Sequence, residues 1–299
     1  MTRSQNENNS LITQTYFSQK YRKKRHQNKL YHLFLLIGSL IMLYPLLWML
    51  AASFKLPNNI FNDAGLLSES YTLANYVRGW QGVSDISFAV FYKNSFTISG
   101  LSIIGTLLSC SMAAYAFARL KFKFRYVLFA VMLVTMMLPT HVTLIPQYII
   151  FHKLGWVNTF FPLIVPKFTA IDGFFIFLLI QFIRGLPSEL DQAATVDGCG
   201  PIQIYLRIIL PLSVPALATC AIFTFIWTWN DFFSNLLYLN TTSMYTVSLA
   251  LRAFLDAEGQ SLWGPLFSMS LVSLIPVFLI FIFFQKYLIE GITTGGVKG

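Results

Sequence analysis

"LPSELDQAATVDGCGPIQIYLRIILPLSVPAL", residues 186–217, interrupts a chain that is otherwise dense in Phe, Leu and Ile. Ser188 and Asp191 fit the S/T-x-x-D/E capping pattern, with Pro187 just ahead, so a helix is predicted to begin at Ser188. On that helix Leu190, Ala193, Ala194 and Asp197 fall at i, i+3, i+4 and i+7 and share one face, while Glu189 and Gln192 point elsewhere. Two small Ala side chains let another surface approach the backbone closely. Gly198 suits a left-handed helix end, and Pro201 suits the first position of a second short helix. There Ile202, Tyr205, Leu206 and Ile209 form an apolar stripe before Pro211 opens the next apolar run. Such a segment reads equally as a docking surface or as an amphipathic connector lying among lipid headgroups.

The surroundings decide where the segment lives. Of 299 residues, 56% are hydrophobic and only 11% charged, with a mean hydropathy of +0.61. A soluble domain carries roughly 25% charged residues, so composition excludes a water-soluble globule and indicates an all-α, polytopic membrane protein. Six spans are expected, at about 31–53, 94–118, 127–151, 169–184, 211–233 and 264–285. Pro139 and Pro146 are expected to kink or end the third. The expected organisation is therefore a basic arm (1–30), a six-span domain (31–285) with the loop 187–210 between spans four and five, and a tail (286–299).

A net charge of +9 raises the question of nucleic acid. The basic residues cluster instead at 20–29 and 119–125, beside apolar runs, where Lys and Arg resist translocation. Alternating the loops puts 15 of the 21 Lys and Arg on one side and 6 on the other. The richer side is predicted to be cytoplasmic; it holds both termini and the loop 187–210. Lipid, and no nucleic acid, is the partner this pattern indicates.

Neither Cys110, Cys199 and Cys220 nor His26, His32, His141 and His152 have metal-ligand spacing. His141 reads as a packed or water-satisfied histidine, and no cofactor or metal is expected. The tail "GITTGGVKG" (291–299) has the glycine separation of a phosphate loop, but Val297 stands where Lys is required. With no nucleotide motif, an energy source must lie on another chain.

Asp172 interrupts an apolar stretch. It reads as a helix N-cap, with an intramembrane functional role as the alternative. Trp227, Trp229, Phe232 and Phe233, with Asn230 and Asp231, read as an interface belt, with lining of a translocation pathway as the alternative.

The stretch 186–217 resembles the signature loop of ABC-importer permease subunits, whose core reads E-A-A, three residues, then G. Ala193, Ala194 and Gly198 match that core, as do Asp197, Leu210 and Pro211 around it; Gln192 stands at the family's glutamate. "FIWTWNDFFSNLLYL" (225–239) and "QKYLIEGITTGGVKG" (285–299) are similar to the carbohydrate-importer branch, in particular to the smaller maltose-transporter permease. The resemblance covers about 31–299. It implies that Glu189, Leu190, Asp191, Gln192, Ala193, Ala194, Asp197 and Gly198 form a coupling helix that docks in a cleft of an ATPase subunit. It also implies a permease for sugars, oligosaccharides among them, in a bacterial plasma membrane. The implied partners are a second homologous permease, two cytoplasmic ATPase subunits and an extracytoplasmic sugar-binding protein facing loops 54–93 and 234–263. For the tail, docking at the ATPase interface and a frayed terminus both stay open. The alternative from another class is an ion-coupled secondary transporter, which needs ionisable groups inside the spans.

Overall fold

The computed structural model describes residues 31–63, 65–255 and 262–293, in two compact units divided between Tyr71 and Thr72. The arm 1–30, the side chain of His141, loop residues 256–261 and tail residues 294–299 lie outside the described residues. Among those described, regular structure is helical, with two isolated β-bridges.

In the first unit the span expected at 31–53 is the helix α1, Tyr31–Ser53. Its large apolar side chains, Phe34, Ile41 and Met42 among them, are exposed along its length. After it the Lys55 ammonium is fully buried and donates to the carbonyls of Asp63 (2.5 Å) and Gly65 (2.6 Å), which closes the following turn.

The second unit is organised by α3 (Phe88–Arg119), preceded by the short α2 (Ala74–Gln81). α3 begins earlier than the expected 94 because the Ser87 hydroxyl accepts the Ala89 amide and starts the helix there. Its buried face carries Ser95, Ser99, Ser102, Gly105, Thr106 and Ser109. Helices in lipid gain little from the hydrophobic effect and associate by close packing, which small residues permit. Gly105 shows the consequence: an added Cβ would lie 2.7 Å from the Phe168 ring.

The expected third span is broken into α4 (Arg125–Met136) and α5 (Thr140–Lys153). Pro139 is extended (φ −60°, ψ 129°), lacks an amide proton and disfavours helix in the residue before it. Pro146 stays inside α5 without ending it. The fourth span begins earlier than expected: a short turn (Phe161–Ile164) and a 3-10 turn (Val165–Thr169) precede α6 (Gly173–Gly185), and together they are long enough to cross.

α7 (Glu189–Val196) and α8 (Pro201–Leu212) form the segment of interest, and α9 (Val214–Trp229) follows at a bend of 75°. The expectation that Pro211 opens the fifth span is corrected: Pro211 lies within α8, and the chain re-enters helix at Val214, with Pro215 in the first turn. Then come α10 (Phe233–Tyr238), α11 (Val247–Ala253) and α12 (Trp263–Thr293), which runs past the expected end at 285. Among the described residues four helical stretches are long and apolar enough to cross a membrane, or five if the bent α8–α9 pair is one span.

α3 packs against α6 and α9, and α9 against α12. One end of this assembly is an aliphatic cluster that includes Phe175, Leu179, Ile183, Ala194, Ile204, Tyr205 and Ile209. The other end is aromatic, with Phe88, Phe91, Phe225, Trp229 and Phe254.

Candidate functional site

α7 is closed by a Schellman motif. Gly198 takes φ +83°, its amide bonds the Thr195 carbonyl (3.1 Å), and the Cys199 amide bonds the Ala194 carbonyl (2.9 Å). No atom lies within 4 Å of a Cβ added at Gly198, so the requirement for glycine there is one of backbone conformation alone. Pro201 then opens α8, and the Gln203 side chain accepts the Gly200 amide (3.0 Å). A single π-helical turn follows at Tyr205–Ile209, a distortion common at functional positions.

The start of α7 differs from the expected capping pattern. The Ser188 hydroxyl makes no cap bond, and Asp191 is turned to Arg119, with Oδ2 3.0 Å from its Nε. A charged donor is a stronger partner than a backbone amide, which accounts for the choice. The predicted common face is also split. Asp191, Ala194 and Gly198 follow i, i+3, i+7 spacing, and Ala194 is buried in the chain's own aliphatic cluster. Glu189, Leu190, Gln192, Ala193 and Asp197 are exposed, as is Val196 at 88%. In α8 the stripe divides likewise: Tyr205 and Ile209 are buried, while Ile202 and Leu206 are exposed. The segment thus anchors by one side and presents Leu190, Ala193, Val196, Ile202 and Leu206 on the other.

The second candidate group is only partly brought together. A cavity of about 390 Å³ is lined by Thr143, Gln147, Lys167, Asp231, Asn235 and Tyr238, with Phe151 and Trp227 on its apolar side. Trp227 and Asp231 reach it; Asp172, Trp229 and Asn230 do not line it. Trp229 is 3% exposed, stacks on Phe225 (5.2 Å) and donates Nε1–H to the Ser273 carbonyl (3.2 Å). It is a core residue, neither a belt nor a lining residue, because two tryptophans two positions apart on a helix face nearly opposite ways. Asn230 is exposed at the end of α9 and bonds back to the Ile226 carbonyl.

Asp172 occupies the N-cap position of α6, yet its side chain makes no cap bond. It is 3.1 Å from Lys167 Nζ and accepts from the Thr106 hydroxyl at 3.4 Å. Asp231 Oδ1 instead accepts the Ser234 amide (3.1 Å) at the start of α10. Burial, and after it the Asp231 carboxylate, push the Tyr238 phenol above its ordinary range, so it remains a neutral donor.

Sequence reasoning missed Lys167, Arg119 and Tyr238. Lys167 carried a usable signal, being the one cation near Asp172 in an apolar stretch; Arg119 was counted only as a topological charge. Among the described residues no group of three or more His, Cys, Asp and Glu comes together to hold a metal.

Residues 105–294 match the family model described as "Binding-protein-dependent transport system inner membrane component". The chain is 34% identical to the probable ABC transporter permease protein YurM of Bacillus subtilis (strain 168), over 89% of this chain and 87% of that one. It is 34% identical to the trehalose/maltose transport system permease protein MalG of Thermococcus litoralis, over 89% and 96%. In fold it is similar to a chain of a bacterial ABC transporter involved in import of the acidic polysaccharide alginate. That match has a TM-score of 0.65 at 18% identity and covers 89% of this chain and 96% of the other.

Proposed function

We propose that this chain, which belongs to the family of binding-protein-dependent transport system inner membrane components, is a permease subunit of an ATP-driven ABC importer for sugars. It is a multi-pass inner-membrane protein and a transport component rather than an enzyme. The sugar reading draws on relatives named for trehalose/maltose and for arabinooligosaccharides, which favours oligosaccharides. A related importer crystallised with a pentasaccharide-bound periplasmic protein supports a sugar-binding protein as the external partner.

The observation that carries the mechanism is the two-sided α7: anchored through Asp191 and Ala194, exposed through Leu190, Ala193 and Val196. We assign the exposed side to a cleft of a cytoplasmic ATPase subunit, one of two, with a second homologous permease completing the complex. ATP-driven closure of the ATPase pair then pushes α7, and the 75° bend passes the push to α9. Six crossings, with α4 and α5 together as a broken third, and cytoplasmic termini agree with the 15-to-6 charge split. The cavity between α5, α9 and α10, with aromatic and hydrogen-bonding walls, suits a sugar; we assign it to the pathway. The ion-coupled alternative loses its support, since Asp172 is paired with Lys167 rather than standing as a lone titratable charge.

The test is ATPase retention on permease purified from its own membrane. Ala193→Asp places a carboxylate on the exposed side, where the free permease solvates it and a docked one cannot. Desolvating an unpaired charge costs several kcal/mol, and about 1.4 kcal/mol already weakens association tenfold. Expected is a well-inserted permease that loses the ATPase. Full retention would remove α7 from the coupling role.

A further inference from the structure

The cytoplasmic third of α3 carries three polar side chains at i, i+4 and i+8, each directed to a different part of the coupling segment. Ser111 donates to the Leu107 carbonyl, so it accepts from the Tyr205 hydroxyl, 2.7 Å away in the π-helical turn. The Tyr115 hydroxyl donates to the Pro201 carbonyl (3.1 Å) at the start of α8, and its ring packs on Tyr205 at 5.4 Å. Arg119 reaches furthest: one terminal nitrogen donates to the Leu186 carbonyl (2.7 Å) while Nε meets Asp191 Oδ2 (3.0 Å). A single guanidinium therefore brackets the turn 186–191 by which the chain enters α7. Both partners of the ion pair are largely buried, at 13% and 20% side-chain exposure, so solvent and salt screen the contact little.

Alternative attachments are thin. Ala194 is the one side chain of α7 that is buried, and a methyl group fixes depth but not rotation about the helix axis. Arg119 does fix rotation, because its planar guanidinium holds two separated points of the segment, the Leu186 carbonyl by a hydrogen bond and the Asp191 carboxylate by an ion pair; a lysine has one point charge on a flexible stem and does not reproduce it.

We propose that Arg119 is a positioning residue for energy coupling: it clamps α7 to the end of α3, so that the two move as one body when the ATPase moves α7. This rests on the coupling reading above. The consequence is that α3, and not only α9, receives the ATPase stroke. α3 also carries Ile98, a wall residue of the cavity, and Thr106, the partner of Asp172.

The experiment uses the assembled importer in nanodiscs, in a background with the three cysteines replaced. Spin labels are placed at Val196 and Met112, both exposed in the permease, and distances are recorded without nucleotide and after trapping with ATP and vanadate. With the clamp intact, one narrow distance is expected that does not change on trapping. Arg119→Ala and Arg119→Lys should broaden it and make it nucleotide-dependent, and exchanging the pair (Arg119→Asp with Asp191→Arg) should narrow it again. A loss of stability alone would not be rescued by the exchange. An unchanged narrow distance in Arg119→Ala overturns the proposal, as does a wild-type distance that shifts on trapping. If Arg119→Ala does not accumulate, Arg119→Lys decides between the same outcomes. Failure of the coupling reading itself looks different: Ala193→Asp would keep its ATPase, whatever the labels report.

Discussion

The two ends of the α3–α9 assembly solve the same problem differently. At the aromatic end, position is set by shape: Trp229 lies 4.9 Å from the Phe96 ring and 5.2 Å from Phe225, and Phe88 packs on Phe91 and Phe254. At the proposed coupling end, the short and mostly exposed α7 is held by one buried methyl group, the Arg119–Asp191 ion pair and the Arg119 bond to the Leu186 carbonyl, while two tyrosine hydroxyls tie α8 to α3. Interlocked rings resist displacement in every direction, whereas a few directional bonds permit a segment to be pushed and still return to one register. If α7 receives the ATPase stroke as proposed, the difference teaches that the end taking force is attached at points and the end holding the frame is packed.

The sharpest way to break that comparison is within α7 itself. Ala193 and Ala194 are chemically identical neighbours, yet only Ala194 is buried, at 6%. Ala194→Asp is expected to place an unpaired carboxylate in the aliphatic cluster at a cost of several kcal/mol. The measurement is thermal unfolding of detergent-purified permease, which should fall markedly or give no folded protein, while Ala193→Asp unfolds near wild type. Equal behaviour of the two variants would mean that α7 is not anchored by this side.

Next in size is Trp229→Ala, expected to cost about 3–5 kcal/mol as a large buried aromatic is lost. Tryptophan removal also deletes the Nε1–H bond to the Ser273 carbonyl that ties α9 to α12. Unfolding in detergent should shift strongly while ATPase retention by the folded fraction stays normal, because this end does not touch α7. A variant that unfolds normally would show that the aromatic end is not the frame.

What the sequence made legible, and what it did not, follows the range of the interactions. The C-terminal end of α1, at Ser53, was readable because a long apolar run that gives way to polar residues is a local signal. The bend at Gly198 was readable for the same reason: a left-handed helix end needs glycine whatever surrounds it. The split between Ala193 and Ala194 was not, because which side of α7 turns inward depends on contacts with residues distant in sequence, Arg119 and the aliphatic cluster among them. Likewise Ser188 and Asp191 form a capping pattern that a distant guanidinium overrides. The broken third span was half legible: Pro139 and Pro146 look alike in sequence, but only Pro139 ends a helix, and Pro146 keeps its place inside α5.

The smallest expected effect on stability lies at the cavity wall and sharpens the comparison from the packed end. Tyr238 is 2% exposed, its ring meets Tyr148 at 6.2 Å and Phe151 at 5.6 Å, and its hydroxyl has no hydrogen-bond partner among the described residues. A buried hydroxyl left unpaired costs about 1–3 kcal/mol relative to a paired one, so deleting the oxygen while keeping the ring is expected to be neutral or slightly stabilising. Tyr238→Phe should therefore unfold at or just above the wild-type temperature. If the frame at this end exists only to hold itself together, transport should also be untouched. If the cavity is pathway, the hydroxyl is a neutral donor at physiological pH waiting for an acceptor, and a saccharide is rich in them. Uptake of radiolabelled maltose, trehalose and arabino-oligosaccharides by cells carrying the full importer is the measurement. Uptake should fall several-fold for whichever sugar is carried, with stability preserved, since losing one hydrogen bond to a neutral partner is worth about 0.5–1.5 kcal/mol. Normal uptake with unchanged stability would take Tyr238, and with it this wall of the cavity, out of the sugar's path.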